Sequence, residues 1–137
     1  MMTHATVLAA TLAALIPAHA FADHWVQTDS QATGKGGEGW PARFADLRHV
    51  LTYTATLAVT LAVVDWRCHL AYDVPRVAFA LLFNGITHYI ADRRTPVRHA
   101  ALALGKAGWL KNDPEALYKL DQSWHYAFLL VTALIIA

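Results

Sequence analysis

Three times in this chain a histidine and an aspartate stand four positions apart: His19 and Asp23 in "HAFAD", His88 and Asp92 in "HYIAD", and, reversed, Asp121 and His125 in "DQSWH". On a helix that spacing puts two side chains about 40° apart around the axis and about 6 Å along it, so each pair shares a face. His49 adds a fourth imidazole, followed along its stripe by Tyr53, Thr56 and Thr60. Imidazole with carboxylate is a donor set for a divalent metal, zinc foremost, with manganese and ferrous iron also suited. The one cysteine, Cys68, has no partner and argues against a thiolate site.

The elements that must hold these groups are apolar. Hydrophobic residues make up 56% of the 137 residues and charged ones 15%, which departs from a soluble domain in both directions and points to a membrane protein. The length allows one domain, residues 1–137. Hydropathy and capping signals divide it into helices at about 3–25, 41–66, 74–92 and 114–137, each long enough to cross a hydrocarbon core of about 30 Å. Pro41 suits the first turn of the second helix, Asp73 caps the third, and Asp113 with Pro114 starts the fourth. Nothing alternates with period two, so the expectation is an all-α fold: a four-helix transmembrane bundle in antiparallel up-down topology. The basic stretch "RTPVRHAALALGKAGWLKN" between the third and fourth helices predicts a surface helix or loop. "TGKGGEG" lacks the ending of a phosphate-binding loop and reads as a flexible linker. A net charge of +1 with no basic patch excludes a nucleic-acid footprint.

Nine of the eleven lysines and arginines fall in or beside the first and third loops. The positive-inside rule then makes those loops cytoplasmic and places both termini outside. In that arrangement His19 and His88 lie near the ends of their helices and His49 and His125 near the starts of theirs. All four imidazoles fall about 6 to 17 Å below one boundary. Four imidazoles and three carboxylates in one layer, with few basic residues expected there, are costly to bury unpaired. A bound divalent cation held by His19, Asp23, His49, His88, Asp92, Asp121 and His125 resolves that cost; a metal-free hydrogen-bonded core and an ion pathway are the alternatives. Signal-peptide cleavage at Ala18-His19-Ala20 is disfavoured, because the segment has no basic start and cleavage would part His19 from Asp23.

At these residues the chain resembles a family of small integral-membrane proteins of bacteria and phages, domain of unknown function 3307. Its pattern has a first helix ending H-x-x-x-D-F-x-x-Q-x-D, a lone His opening the second, H-x-x-x-D closing the third and D-Q-x-x-H opening the fourth. His19, Asp23, Gln27 and Asp29, then His49, then His88 and Asp92, then Asp121, Gln122 and His125 match it in order, with His24 where an aromatic residue is commoner. That family is similar to proteins labelled membrane-bound metal-dependent hydrolases. The resemblance strengthens the metal site; the expectation drawn from the residues is a metal-dependent hydrolase embedded in the bacterial inner membrane, surrounded by membrane lipid and acting on a lipid-linked ester or phosphoester at the cytoplasmic leaflet. Asp23 or Asp92, whichever is not a ligand, would be the general base. Gln27, Gln122, Arg93 and Arg94 would hold the substrate at the mouth. The alternative is a non-enzymatic phage or bacterial membrane protein whose His/Asp layer only fixes the bundle.

Overall fold

The computed structural model describes residues 3–137; Met1 and Met2, part of the single-domain expectation, lie outside the described residues. The fold is all-helical, with no strand among the described residues. Its helices are α1 (His4–Phe21), α2 (Asp29–Gly34), α3 (Gly39–Cys68), α4 (Val74–Asp92), α5 (Thr95–Ala103), α6 (Ala107–Asn112) and α7 (Ala116–Ile136).

Local chemistry sets the ends. The Thr3 hydroxyl accepts from the Thr6 N–H at 3.2 Å to start α1, and the Asp73 carboxylate accepts from the Arg76 N–H at 2.9 Å to start α4. Gly39, at φ +79°, makes the turn into α3, two residues before the expected start. Beyond α1 the chain widens into one π turn, Ala22–Val26, closed by the Gln27 N–H donating to Ala22 O at 3.0 Å. The fourth long helix begins at Ala116 because Pro114 and Glu115 form a turn, in which Asp113 accepts from the Glu115 N–H at 2.9 Å.

Among the described residues, four long helices form a ring: α1 packs on α3 and α7, and α4 packs on the same two. The end of α1 meets the start of α3, and the end of α4 meets the start of α7, so neighbours run antiparallel. Leu15, Leu57, Leu61, Leu129, Ala133 and Ile136 fill the half away from the histidines. Gly85 marks close approach of α4 to α3, since a Cβ there would meet Thr54 Oγ1 at 3.2 Å. Between α4 and α7 lie two short helices: α5 buries Val97 and Ala101, while α6 buries nothing.

Two runs, His4–Val26 and Gly39–Cys68, are long and apolar enough to cross a membrane. Helices α4 and α7 fall short of that measure because of Arg76, Asn84, His88 and Asp92 in one and Lys119, Asp121, Gln122 and His125 in the other. The "TGKGGEG" stretch is not the free linker expected. Its first residues belong to α2, which starts with a capping box: Thr28 Oγ1 accepts from the Gln31 N–H at 3.3 Å while Gln31 Oε1 accepts from the Thr28 N–H at 2.8 Å. Gly34 sits so close to α3 that a Cβ would lie 3.2 Å from that of Ala45. These glycines serve packing rather than freedom.

Candidate metal centre

Antiparallel packing carries the four imidazoles into one layer. Ring centroids lie 4.1 Å apart for His88 and His125, 5.1 Å for His49 and His88, 5.1 Å for His19 and His125, and 5.9 Å for His19 and His88. His19 and His49 have no exposed surface, and His88 and His125 have almost none.

The carboxylates meet them there. His49 Nε2 and His88 Nε2 are 3.0 Å apart, and Asp92 Oδ2 lies 3.4 Å from the first and 3.3 Å from the second. Asp23 Oδ1 also faces this pair, at 3.3 and 3.5 Å. Asp23 sits in the π turn, so its other oxygen is 3.8 Å from its helical neighbour His19. On the far side of Asp92, His125 Nε2 is 3.8 Å from Oδ1 and 3.5 Å from Asp121 Oδ1. Three triads able to hold a cation result: His19, Asp23 and His88; His49, His88 and Asp92; Asp92, Asp121 and His125. Together they contain all seven of the residues expected as ligands, and no other residue.

The donor atoms are poorly satisfied without a cation. Asp23 Oδ1, Asp92 Oδ2, Asp121 Oδ1 and His125 Nε2 are buried and make no hydrogen bond, a condition that costs about 1–3 kcal/mol per neutral group and more for a charged one. Below the layer, the pairing is complete. The Tyr53 hydroxyl donates to Asn84 Oδ1 and the Asn84 amide donates to Thr132 Oγ1, both at 2.9 Å. The Tyr53 ring stacks on His88 with centroids 3.8 Å apart, which fixes that imidazole.

A cleft of about 410 Å³ opens beside the cluster, lined by Asp23, Gln27, Lys35, Asp92, Asp121 and Gln122 among others. Of the residues expected to hold substrate, Arg94 lines this cleft, with its backbone at an unusual φ of +58°. Gln27 and Gln122 line it too, but their amides are used within the site. Gln122 Oε1 is 3.4 Å from His19 Nε2. Gln27, oriented as its neighbours require, donates to the Asp23 carbonyl at 3.1 Å and accepts from Lys35 Nζ at 2.9 Å. Arg93, expected at the mouth with them, is not among the residues that line the cleft. Its guanidinium donates to the carbonyls of Lys35 and Gly37 at 2.6 and 2.5 Å, pinning the α2–α3 connection instead of facing the cleft. His24 borders the cleft with Nε2 3.4 Å from the Tyr118 hydroxyl, and Asp29 is exposed in the first turn of α2.

Two further residues, Lys35 and Asp46, are unexpected. Lys35, expected in a loop, reaches into the layer, with Nζ 2.8 Å from Asp92 Oδ1. Asp46 is fully buried on α3 with neither oxygen hydrogen-bonded. The signal for Asp46 was its place three residues before His49, on the same helical face. The T-x-x-Q capping box at Thr28–Gln31 announced α2, but nothing in the sequence announced where Lys35 would land.

No curated protein and no solved structure matches the chain. A family model described as "Protein of unknown function (DUF3307)" matches residues 11–137, a span that holds every donor of the cluster. The chain therefore belongs to the family of proteins of unknown function DUF3307.

Proposed function

We propose that this protein is an integral-membrane, divalent-metal-binding protein of the bacterial inner membrane, and that it hydrolyses a lipid-linked ester or phosphoester at the cytoplasmic leaflet. The observation that carries the metal reading is the triad of His49 Nε2, His88 Nε2 and Asp92 Oδ2, with edges of 3.0, 3.3 and 3.4 Å. Adjacent ligands on a tetrahedral zinc with bonds of about 2.0–2.1 Å are about 3.3 Å apart.

The membrane reading rests on an inverted distribution of polarity. Each long helix turns His or Asp inward while Ile16 and Phe21 on α1, Leu51 and Val59 on α3, Leu82 and Ile86 on α4, and Leu130 and Leu134 on α7 are exposed. Apolar surface on all four walls around a polar interior suits lipid, not water, as the surrounding medium. All four long helices cross on this reading, with loops 1 and 3 cytoplasmic and both termini outside.

His49, His88 and Asp92 would hold a divalent ion, and the chemistry it would supply there is Lewis acidity toward a bound water and the scissile group. The chain's own residues do the rest. Asp92 engages both oxygens, one with Lys35 and one with the His49 and His88 nitrogens, and so serves as a ligand. Asp23 borders the cleft with Oδ2 held only loosely, 3.8 Å from His19, and is the general base. Arg94 draws an anionic group into the cleft, and Val97 and Leu117 give it apolar walls. A second reading, a metal-free structural core, is favoured by the Lys35–Asp92 ion pair, which neutralises one carboxylate unaided.

The test is turnover of phospholipids and of a p-nitrophenyl phosphodiester in mixed micelles. Stripped protein should be inactive, added zinc or manganese should restore turnover, and Asp23→Asn should lower it about 10²-fold or more. Metal-loaded protein that turns over no member of the panel overturns the hydrolase reading and leaves a structural metal site; protein that binds no metal leaves the metal-free core.

A further inference from the structure

We propose that Asp92, Asp121 and His125 form a second divalent-cation site on the cleft side of the first, and that the Lys35 ammonium stands in for the cation there. This rests on the metal reading above. Asp92 divides its two oxygens between the sites. Oδ2 faces His49 and His88, while Oδ1 faces Lys35 and, at 3.8 Å, His125 Nε2. A carboxylate shared in this way is the usual bridge of two-metal centres, whose ions lie about 3.5–4 Å apart.

The remaining donors of the second triad are prepared for a cation and lack one. His125 Nε2 and Asp121 Oδ1 are buried, 3.5 Å apart and without hydrogen bonds. The His125 side chain is 2% exposed, and the cleft beside Asp121 leaves room for water or substrate to complete the coordination. What fills the corner is Lys35, whose Nζ is 2.8 Å from Asp92 Oδ1 and 2.9 Å from the Gln27 amide oxygen. An ammonium at that distance takes one of the two lone pairs on Asp92 Oδ1 and places a positive charge beside the other.

Charge points the same way. The three carboxylates of the triads, Asp23, Asp92 and Asp121, are balanced by one divalent ion and one ammonium when the imidazoles are neutral. A second divalent ion added beside Lys35 would leave a buried excess of positive charge, which a low-dielectric interior penalises heavily. Removal of the ammonium clears the corner and lowers that excess from two positive charges to one. Lys35 is well placed to act so, because α2 and the Arg93 clamp on its own carbonyl deliver its side chain to the layer.

The experiment is zinc stoichiometry. Detergent-purified protein is equilibrated with zinc, freed of excess and measured by elemental mass spectrometry against protein concentration. The expected result is one zinc per chain in the wild type, two in Lys35→Met, and one in both Lys35→Arg and Lys35→Met/Asp121→Ala. Lys35→Gln gives the same reading as Lys35→Met should the latter fail to fold. Two zincs in the wild type, or one or none in the neutral variants beside one in the wild type, overturns the role of Lys35 and leaves the first site standing. No zinc in the wild type overturns the metal reading and this inference with it.

Discussion

Replacing Asn84 by leucine tests whether the polar ladder beneath the histidines is made as described. Asn84 accepts from the Tyr53 hydroxyl and donates to Thr132, both bonds 2.9 Å long and fully buried. In Asn84→Leu the Tyr53 hydroxyl loses its acceptor, at a cost of about 1–3 kcal/mol. Thr132 loses less, because its own hydroxyl still donates to the Phe128 carbonyl at 2.7 Å. Tyr53→Phe alone leaves the Asn84 oxygen unpaired, and the double variant leaves neither orphan. The cycle should therefore show a coupling of about 1 kcal/mol; interhelical hydrogen bonds in membranes reach about 1.7 kcal/mol. The assay is equilibrium unfolding in mixed micelles followed by helical circular dichroism. Additive costs, with coupling indistinguishable from zero, would refute the Tyr53–Asn84 bond and with it the fixing of the stacked His88 ring.

Arg93→Ala removes both guanidinium bonds to the Lys35 and Gly37 carbonyls. The part-buried bond to Lys35, at about 1.5 kcal/mol, corresponds to about tenfold more local opening, and the bond to Gly37 is exposed and adds little. Trypsin should cut after Lys35 about tenfold faster, and an unchanged rate would contradict the clamp. At the α6–α7 turn, the Lys119 ammonium, the Glu115 N–H and the Trp109 indole hold the Asp113 carboxyl at about 2, below its ordinary value near 4. That contribution to stability is present above about pH 4 and lost as pH falls through about 2. A side-chain carbonyl carbon shift of Asp113 that titrates near 4 would contradict it. Cys68 is exposed at the outer end of α3 on the proposed topology. It should react with an impermeant maleimide in spheroplasts, whereas a cysteine at Gly108 in a Cys68→Ser background should react only after lysis; the reverse pattern inverts the orientation.

What the sequence revealed and what it hid follow one physical division. Within a helix, covalent periodicity fixes direction, so HxxxD at His19 and His88 and DxxxH at Asp121 sufficed to place each pair on a face. Depth along helices of known rise then placed the faces in one layer, where the structure brings them together. Lys35 belongs to a connection whose path depends on Gly34 seating against Ala45 and on Arg93 reaching back from the end of α4. Such contacts leave no periodic trace. The π turn at Ala22–Val26 was hidden for the same reason, and with it the turning of Asp23 from His19 toward His49 and His88. Position at the end of α4 puts Arg93 and Arg94 alike at the mouth, but only Arg94 lines the cleft.

The most direct measurement is the metal content of detergent-purified protein beside a folded His49→Ala/His88→Ala variant. The triad predicts near-stoichiometric zinc, manganese or iron in the wild type, and its loss in the variant, because both nitrogens of the 3.0 Å pair are gone. Wild-type protein that retains no metal, and gains no thermal stability when zinc is added, would contradict the metal centre and leave the His/Asp layer as a polar core.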